Sequence, residues 1–83
     1  MAVYVDNARR KYRGMRMSHM IADSTDELLE MVDAIQVDRK HIQFQGLAKE
    51  HFDICAERRE RAIAAGAIPV CSREIVRRMR DRG

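Results

Sequence analysis

The chain contains no tryptophan, one proline, four glycines and two cysteines. Aromatic residues make up only 5% of it, as Tyr4, Tyr12, Phe44 and Phe52. The scarcity of proline and glycine, with no low-complexity tract, excludes a collagen-like or linker-type chain. Cys55 and Cys71 stand far apart, with no CxxC pair and no histidine at finger spacing. That excludes a disulfide scaffold and a zinc finger, and both thiols are expected reduced and partly buried in the core. No apolar run approaches the roughly 20 residues that a membrane-spanning helix needs, so no membrane partner is expected. Charge arrives at Asp6 and Arg9 before any useful apolar stretch, so no secretion signal is read and a cytoplasmic location is expected. Phosphate-binding glycine loops, a GxSxG nucleophile turn and an HExxH helix are all absent.

What the chain does have is charge. Charged residues make up 35% of the 83, against 46% hydrophobic, with a net charge of +3. The charge is segregated: residues 21–38 hold six acids and no base, whereas residues 1–20 hold five bases and one acid. Arginine outnumbers lysine thirteen to three. The guanidinium fork meets two oxygens of a phosphate or carboxylate at once, so this bias suits anion recognition as well as a solvated surface. A chain of this length fits one domain, here residues 1–83, with a thin core that a homodimer would help to cover. With few aromatics available, the six methionines and many alanines must fill that core.

Val3-Tyr4-Val5 reads as a strand that ends at Asp6-Asn7. The basic stretch Arg9–Arg16 has no periodicity and reads as a loop, and Met17–Ala22 reads as a second strand. Ser24-Thr25-Asp26-Glu27 has the spacing of a capping box. Leu28, Met31, Val32 and Ile35 then recur at helical spacing, which predicts a helix from about Thr25 to Ile35 with one buried stripe. Ile42 and Phe44 alternate with polar neighbours, as in a short edge strand or extended loop. Phe52 and Ile54 mark a further strand. A charged helix follows from about Ala56 to Ala65, closed by Gly66. Ala67–Cys71 reads as an edge strand, because Pro69 lacks a donor. Ser72 is expected to cap a last helix with Ile75, Val76 and Met79 inward and Arg77, Arg78, Arg80 and Arg82 outward. Strands alternating with helices predict a small open α/β fold: a mainly parallel sheet of 3–4 short strands flanked by about three helices.

The segments VYVDN (Val3–Asn7), SHMIAD (Ser18–Asp23), HFDI (His51–Ile54) and the run RERAIAAGAIPV resemble a small domain-of-unknown-function family of bacterial and bacteriophage proteins. The resemblance covers nearly the whole chain. It implies a phage or bacterial source and, with it, a third functional class: an inhibitor that docks on a host protein.

Two constellations carry chemistry. Ligands of open α/β sheets bind beyond the carboxyl ends of strands, and Asp6, His19, Asp23, His51 and Asp53 fall near such ends. His51 and Asp53, two apart, share a strand face. Histidines and carboxylates from separate strands make an acid/base set, with His19, His51 and Asp53 as the catalytic candidates. The same types make a divalent metal site, with Asp6 and Asp23 joining His19 and His51 as ligands. The second constellation, Arg9, Arg10, Lys11 and Arg13 beside Tyr12, suits a nucleic-acid backbone and a stacked base. The arginines at 58, 59 and 61 and at the C-terminus extend it, although Glu57 and Glu60 can neutralise the former. The leading expectation is a phosphate-recognising domain that binds nucleic acid or a nucleotide through this surface. The alternative is a small metal-dependent or acid/base phosphoester hydrolase, nuclease-like.

Overall fold

Val3, Tyr4 and Val5 are all buried, so this strand is flanked and covered on both faces, as its β-branched and aromatic side chains favour. The computed structural model describes residues 2–7, 10–12 and 15–82. Among these the elements run β1 (Val3–Val5), β2 (Arg10–Tyr12), β3 (Met15–Ala22), α1 (Thr25–Ala34), β4 (Phe52–Cys55), α2 (Ala56–Ala64), β5 (Ile68–Pro69) and α3 (Ser72–Arg82). A short 3-10 turn at Arg39–His41 lies between α1 and β4.

The sheet is mixed, and mostly antiparallel. β3 pairs antiparallel with β1, β2 and β4, and only β1 and β5 run parallel. Met17 pairs with both Arg10 and Cys55, and Met20 with both Val5 and Phe52. A strand residue has two edges, so β4 lines one edge of β3 while β1 and β2 follow each other along the opposite one. The expected mainly parallel sheet is therefore corrected. The basic stretch thought to be a loop supplies β2, and a hairpin rather than a helical crossover joins it to β3, which forces an antiparallel pairing. Arg-Lys-Tyr shows no apolar alternation because β2, which among the described residues pairs with β3 alone, sits at an edge, where charge is tolerated.

α1 forms where its pattern places it. Ser24 is extended and its Oγ accepts from the Glu27 N–H at 3.2 Å, while the Glu27 carboxylate accepts from the Ser24 hydroxyl at 3.0 Å. Leu28, Met31, Val32 and Ile35 are all buried. Gly66, at φ +111, closes α2 as expected, with the Ala67 N–H donating back to Ala62 O at 2.9 Å. Of the short edge strand or extended loop expected around Ile42–Phe44, the segment shows a single bridge, Gln43 to His51, and Phe44 at φ +55 leaves the extended region directly after it.

Strand alternation splits the core into two layers. Val3, Val5, Met20, Ala22, Phe52 and Ile54 point to the side covered by Leu28, Met31 and Val32 of α1 and Ala62 of α2. Tyr4 and Ile21 point to the other side, under Ile75 and Met79 of α3. α3 differs from its expected facing: Val76 is exposed, Arg78 lies over the Tyr4 ring at 3.9 Å, and Arg82 reaches the buried Glu50. Ser72 opens the helix instead of capping it, and the Glu74 and Ile75 N–H groups donate to Cys71 O at 3.0 and 3.3 Å. Cys71 is exposed, not a core residue, and Cys55 is partly buried; both are free.

A candidate metal centre on the sheet face

The register places residues of three adjacent strands in one row. The Asp6 N–H, just past β1, donates to His19 O at 3.0 Å, and His19 pairs directly with Asp53 of β4. Alternation puts His19 on the same side of β3 as Ile21, and Asp53 and His51 on the matching side of β4, the side that α3 covers. α3 packs over Tyr4 and Ile21 and leaves the row partly open: the His19, His51 and Asp53 side chains are 22%, 12% and 42% exposed.

Asp6 is fully buried and clasps His19 twice. One oxygen accepts from the His19 backbone N–H at 2.9 Å and the other meets Nδ1 at 2.7 Å. Arg59 of α2 donates through Nε to the Asp6 carbonyl at 2.8 Å, which fixes the chain at the end of β1. His51 Nδ1 lies 2.6 Å from Lys49 O. A carboxylate and a carbonyl only accept, so each Nδ1 carries a proton, and the imidazole tautomer with its proton there has its lone pair on Nε2. Both Nε2 atoms turn to Asp53 Oδ1, at 3.7 Å from His19 and 3.6 Å from His51. The other Asp53 oxygen accepts from the Gln43 side-chain amide at 2.9 Å.

These separations are too long for hydrogen bonds. They suit ligands around an ion: bonds of about 2.1 Å put tetrahedral ligand atoms ~3.4 Å apart. Ligand atoms of His19, His51 and Asp53 all lie within 4.8 Å of one another, the one such group among the described residues. Each of the three has an outer partner that orients it: Asp6 for His19, the Lys49 carbonyl for His51, and Gln43 for Asp53. That outer layer is what metal-ligating side chains characteristically have. The rings of His19 and His51 stand edge to face at 5.5 Å, so both nitrogens reach one point without stacking.

Four of the five candidates named from the sequence meet here. Asp6 turns both of its oxygens to His19. Asp23 is not brought to the cluster. It lies four residues along β3 from His19, roughly 13 Å at strand rise, and ties the opposite end of the β1–β3 pair by accepting from Ala2 N at 2.8 Å. Gln43 and Arg59 were not foreseen in these roles, since neither carries a motif.

The basic constellation is only partly in view. Arg9 and Arg13 lie outside the described residues; Arg10 and Lys11 form β2, with Arg10 opposite Met17, two residues along β3 from His19. Elsewhere the arginines are largely engaged. Arg61 pairs with Glu57 at 3.0 Å, Arg59 with Glu60 at 3.4 Å, Arg77 with Glu74 and Asp81, and Arg78 with Glu74 at 2.8 Å. Local pairing thus neutralises much of the α2 and α3 surface.

No helix among the described residues is long and apolar enough to cross a membrane. The chain belongs to the family described as "Protein of unknown function (DUF4031)", whose sequence profile matches residues 3–82. No curated protein and no solved structure matches it.

Proposed function

We propose that this member of the DUF4031 family is a metal-dependent phosphoester hydrolase whose centre is His19, His51 and Asp53. The observation that carries the reading is the convergence of two Nε2 atoms on one Asp53 oxygen, with every ligand held by a partner of its own. Two imidazoles and one carboxylate favour zinc(II) and its transition-metal neighbours over calcium or magnesium, which prefer all-oxygen shells. Three protein ligands leave a position for water or substrate, the pattern of catalytic rather than structural sites. The chemistry such an ion supplies is acidification of a bound water and neutralisation of phosphoryl charge.

The phosphoester assignment rests on the hairpin. β2 continues along the same edge of β3 as β1, and Arg10, opposite Met17, holds a register position on the His19 face two residues along β3, whereas Lys11, opposite Arg16, falls on the other face. The part of Arg10 is to bind phosphate of a nucleic acid or nucleotide beside the centre. The test is turnover of bis-p-nitrophenyl phosphate by the purified protein with zinc(II), manganese(II) or magnesium in turn. Hydrolysis with zinc(II) or manganese(II), abolished by chelator and by His51→Ala, is expected. Equal turnover by wild type and His51→Ala contradicts the reading.

A further inference from the structure

The chain between the 3-10 turn and β4 is fixed more firmly than a surface loop needs to be. Gln43 and His51 exchange both backbone hydrogen bonds, at 3.0 and 3.1 Å. Inside this closure Leu47 N–H donates to Phe44 O at 3.0 Å, and Gly46 N–H donates to the fully buried Glu50 carboxylate at 2.8 Å. Glu50 also accepts from the Thr25 hydroxyl at 2.6 Å and from Arg82 at 3.3 Å, so the loop is bolted to the start of α1 and the end of α3.

The residue this frame presents is an aromatic. Phe44 sits at φ +55, a region that costs a non-glycine residue about 1 kcal/mol or more, and the residue is 53% exposed. Left to the hydrophobic effect alone, a phenylalanine would be turned inward. Here the ring stands 6.0 Å from that of His51, tilted by 32°, on the rim of the centre. The surrounding segment, residues 39–49, carries Arg39, Lys40 and Lys49 and no acid; Arg39 is forked on Asp33 of α1 at 2.6 and 2.9 Å, so the two lysines carry the segment's remaining positive charge.

We infer that Phe44 is the stacking platform for a nucleobase, which makes the substrate of the centre a nucleotide or the unpaired end of a nucleic-acid strand. The inference rests on the phosphoester reading above. A flat aromatic face accepts any base, and a base stacked there carries its phosphate towards His51 and the centre beside it. The basic segment favours a phosphate-bearing occupant over an apolar one. Gln43, next in the chain, holds Asp53, so the platform and the ligand are set by one short stretch.

The probes are adenosine monophosphate and ribose phosphate, which differ only in the base, titrated by calorimetry with and without zinc(II). Wild type is expected to bind the nucleotide about tenfold or more tighter, within the range that one stacked base supplies. Phe44→Ala should erase this preference and leave affinities for zinc(II) and ribose phosphate unchanged, whereas Phe44→Tyr should keep it. Single-stranded and duplex oligonucleotides then separate the sources: a preference for single strands over both duplex and free nucleotide assigns the base to a strand end. Equal binding of the two small probes by wild type, or a preference that survives in Phe44→Ala, overturns the inference. A zinc isotherm with no nucleotide preference defeats the platform alone, and a nucleotide preference without metal binding defeats the hydrolase reading alone.

Discussion

Replacing Asp6 by asparagine changes one atom and tests how the centre is held. The Asp6 carboxylate accepts from two His19 donors, the backbone N–H at 2.9 Å and Nδ1 at 2.7 Å. An amide has one acceptor oxygen. If that oxygen stays on the backbone N–H, the amide nitrogen faces Nδ1 as a donor and forces it to accept. The ring proton then moves to Nε2, the atom turned to Asp53. Loss of such an outer partner typically lowers metal affinity about 10- to 100-fold, or roughly 1.4–2.7 kcal/mol. Asp6 is fully buried, so no solvent molecule can stand in at its place and the upper half of that range is expected. The assay is competition between protein and a chromogenic zinc chelator, wild type against Asp6→Asn, with circular dichroism to check that both are folded. Equal zinc affinity in two folded proteins refutes the claim that Asp6 sets the His19 tautomer for an ion.

Glu50 gives a stability prediction with a definite sign. Burial pushes its carboxyl up, but the Gly46 N–H, the Thr25 hydroxyl and Arg82 outweigh burial and hold it below the usual glutamate range. A depressed pKa in the folded state means the stabilisation is present above the unfolded value and lost as pH falls through the folded one. Glu50→Gln should therefore cost about 2 kcal/mol near neutrality, or ~8–16 °C in Tm, and the gap to wild type should narrow below about pH 4 in thermal melts; a gap independent of pH contradicts this. For the hairpin, Arg10→Ala should reduce the salt dependence of single-stranded oligonucleotide binding by about one phosphate contact, read by fluorescence anisotropy across a salt series. An unchanged slope removes Arg10 from the phosphate surface.

Local signals in the sequence carried α1 and the end of α2, where a few neighbouring residues decide the structure, but not the start of α3, where Ser72 opens the helix instead of capping it. Leu28, Met31, Val32 and Ile35 recur at the helical period, Ser24 caps them, and Gly66 ends α2 because few other residues tolerate its φ. Direction of pairing is different, since it depends on how distant segments meet. β2 shows only Arg-Lys-Tyr, with nothing apolar to mark it, and the hairpin it forms with β3 sets an antiparallel pair where a parallel sheet was expected. The candidate site was legible in its residue types, and Asp6, His19, His51 and Asp53 do meet. The reason is not the one expected: an antiparallel row across β1, β3 and β4 gathers them, not the carboxyl ends of parallel strands. Asp23 falls away for the same reason, since it lies at the far end of that row's central strand. Glu50 gave no signal at all, because its partners Thr25 and Arg82 lie 25 and 32 residues away in sequence.

The central claim, that His19, His51 and Asp53 form one metal centre, is tested most directly by calorimetric titration of the full chain with zinc(II). The account predicts one ion per chain, with binding lost or weakened at least tenfold in each of His19→Ala, His51→Ala and Asp53→Ala while Asp23→Ala binds as wild type does. Absence of binding to the wild type, or binding that survives all three substitutions, contradicts it.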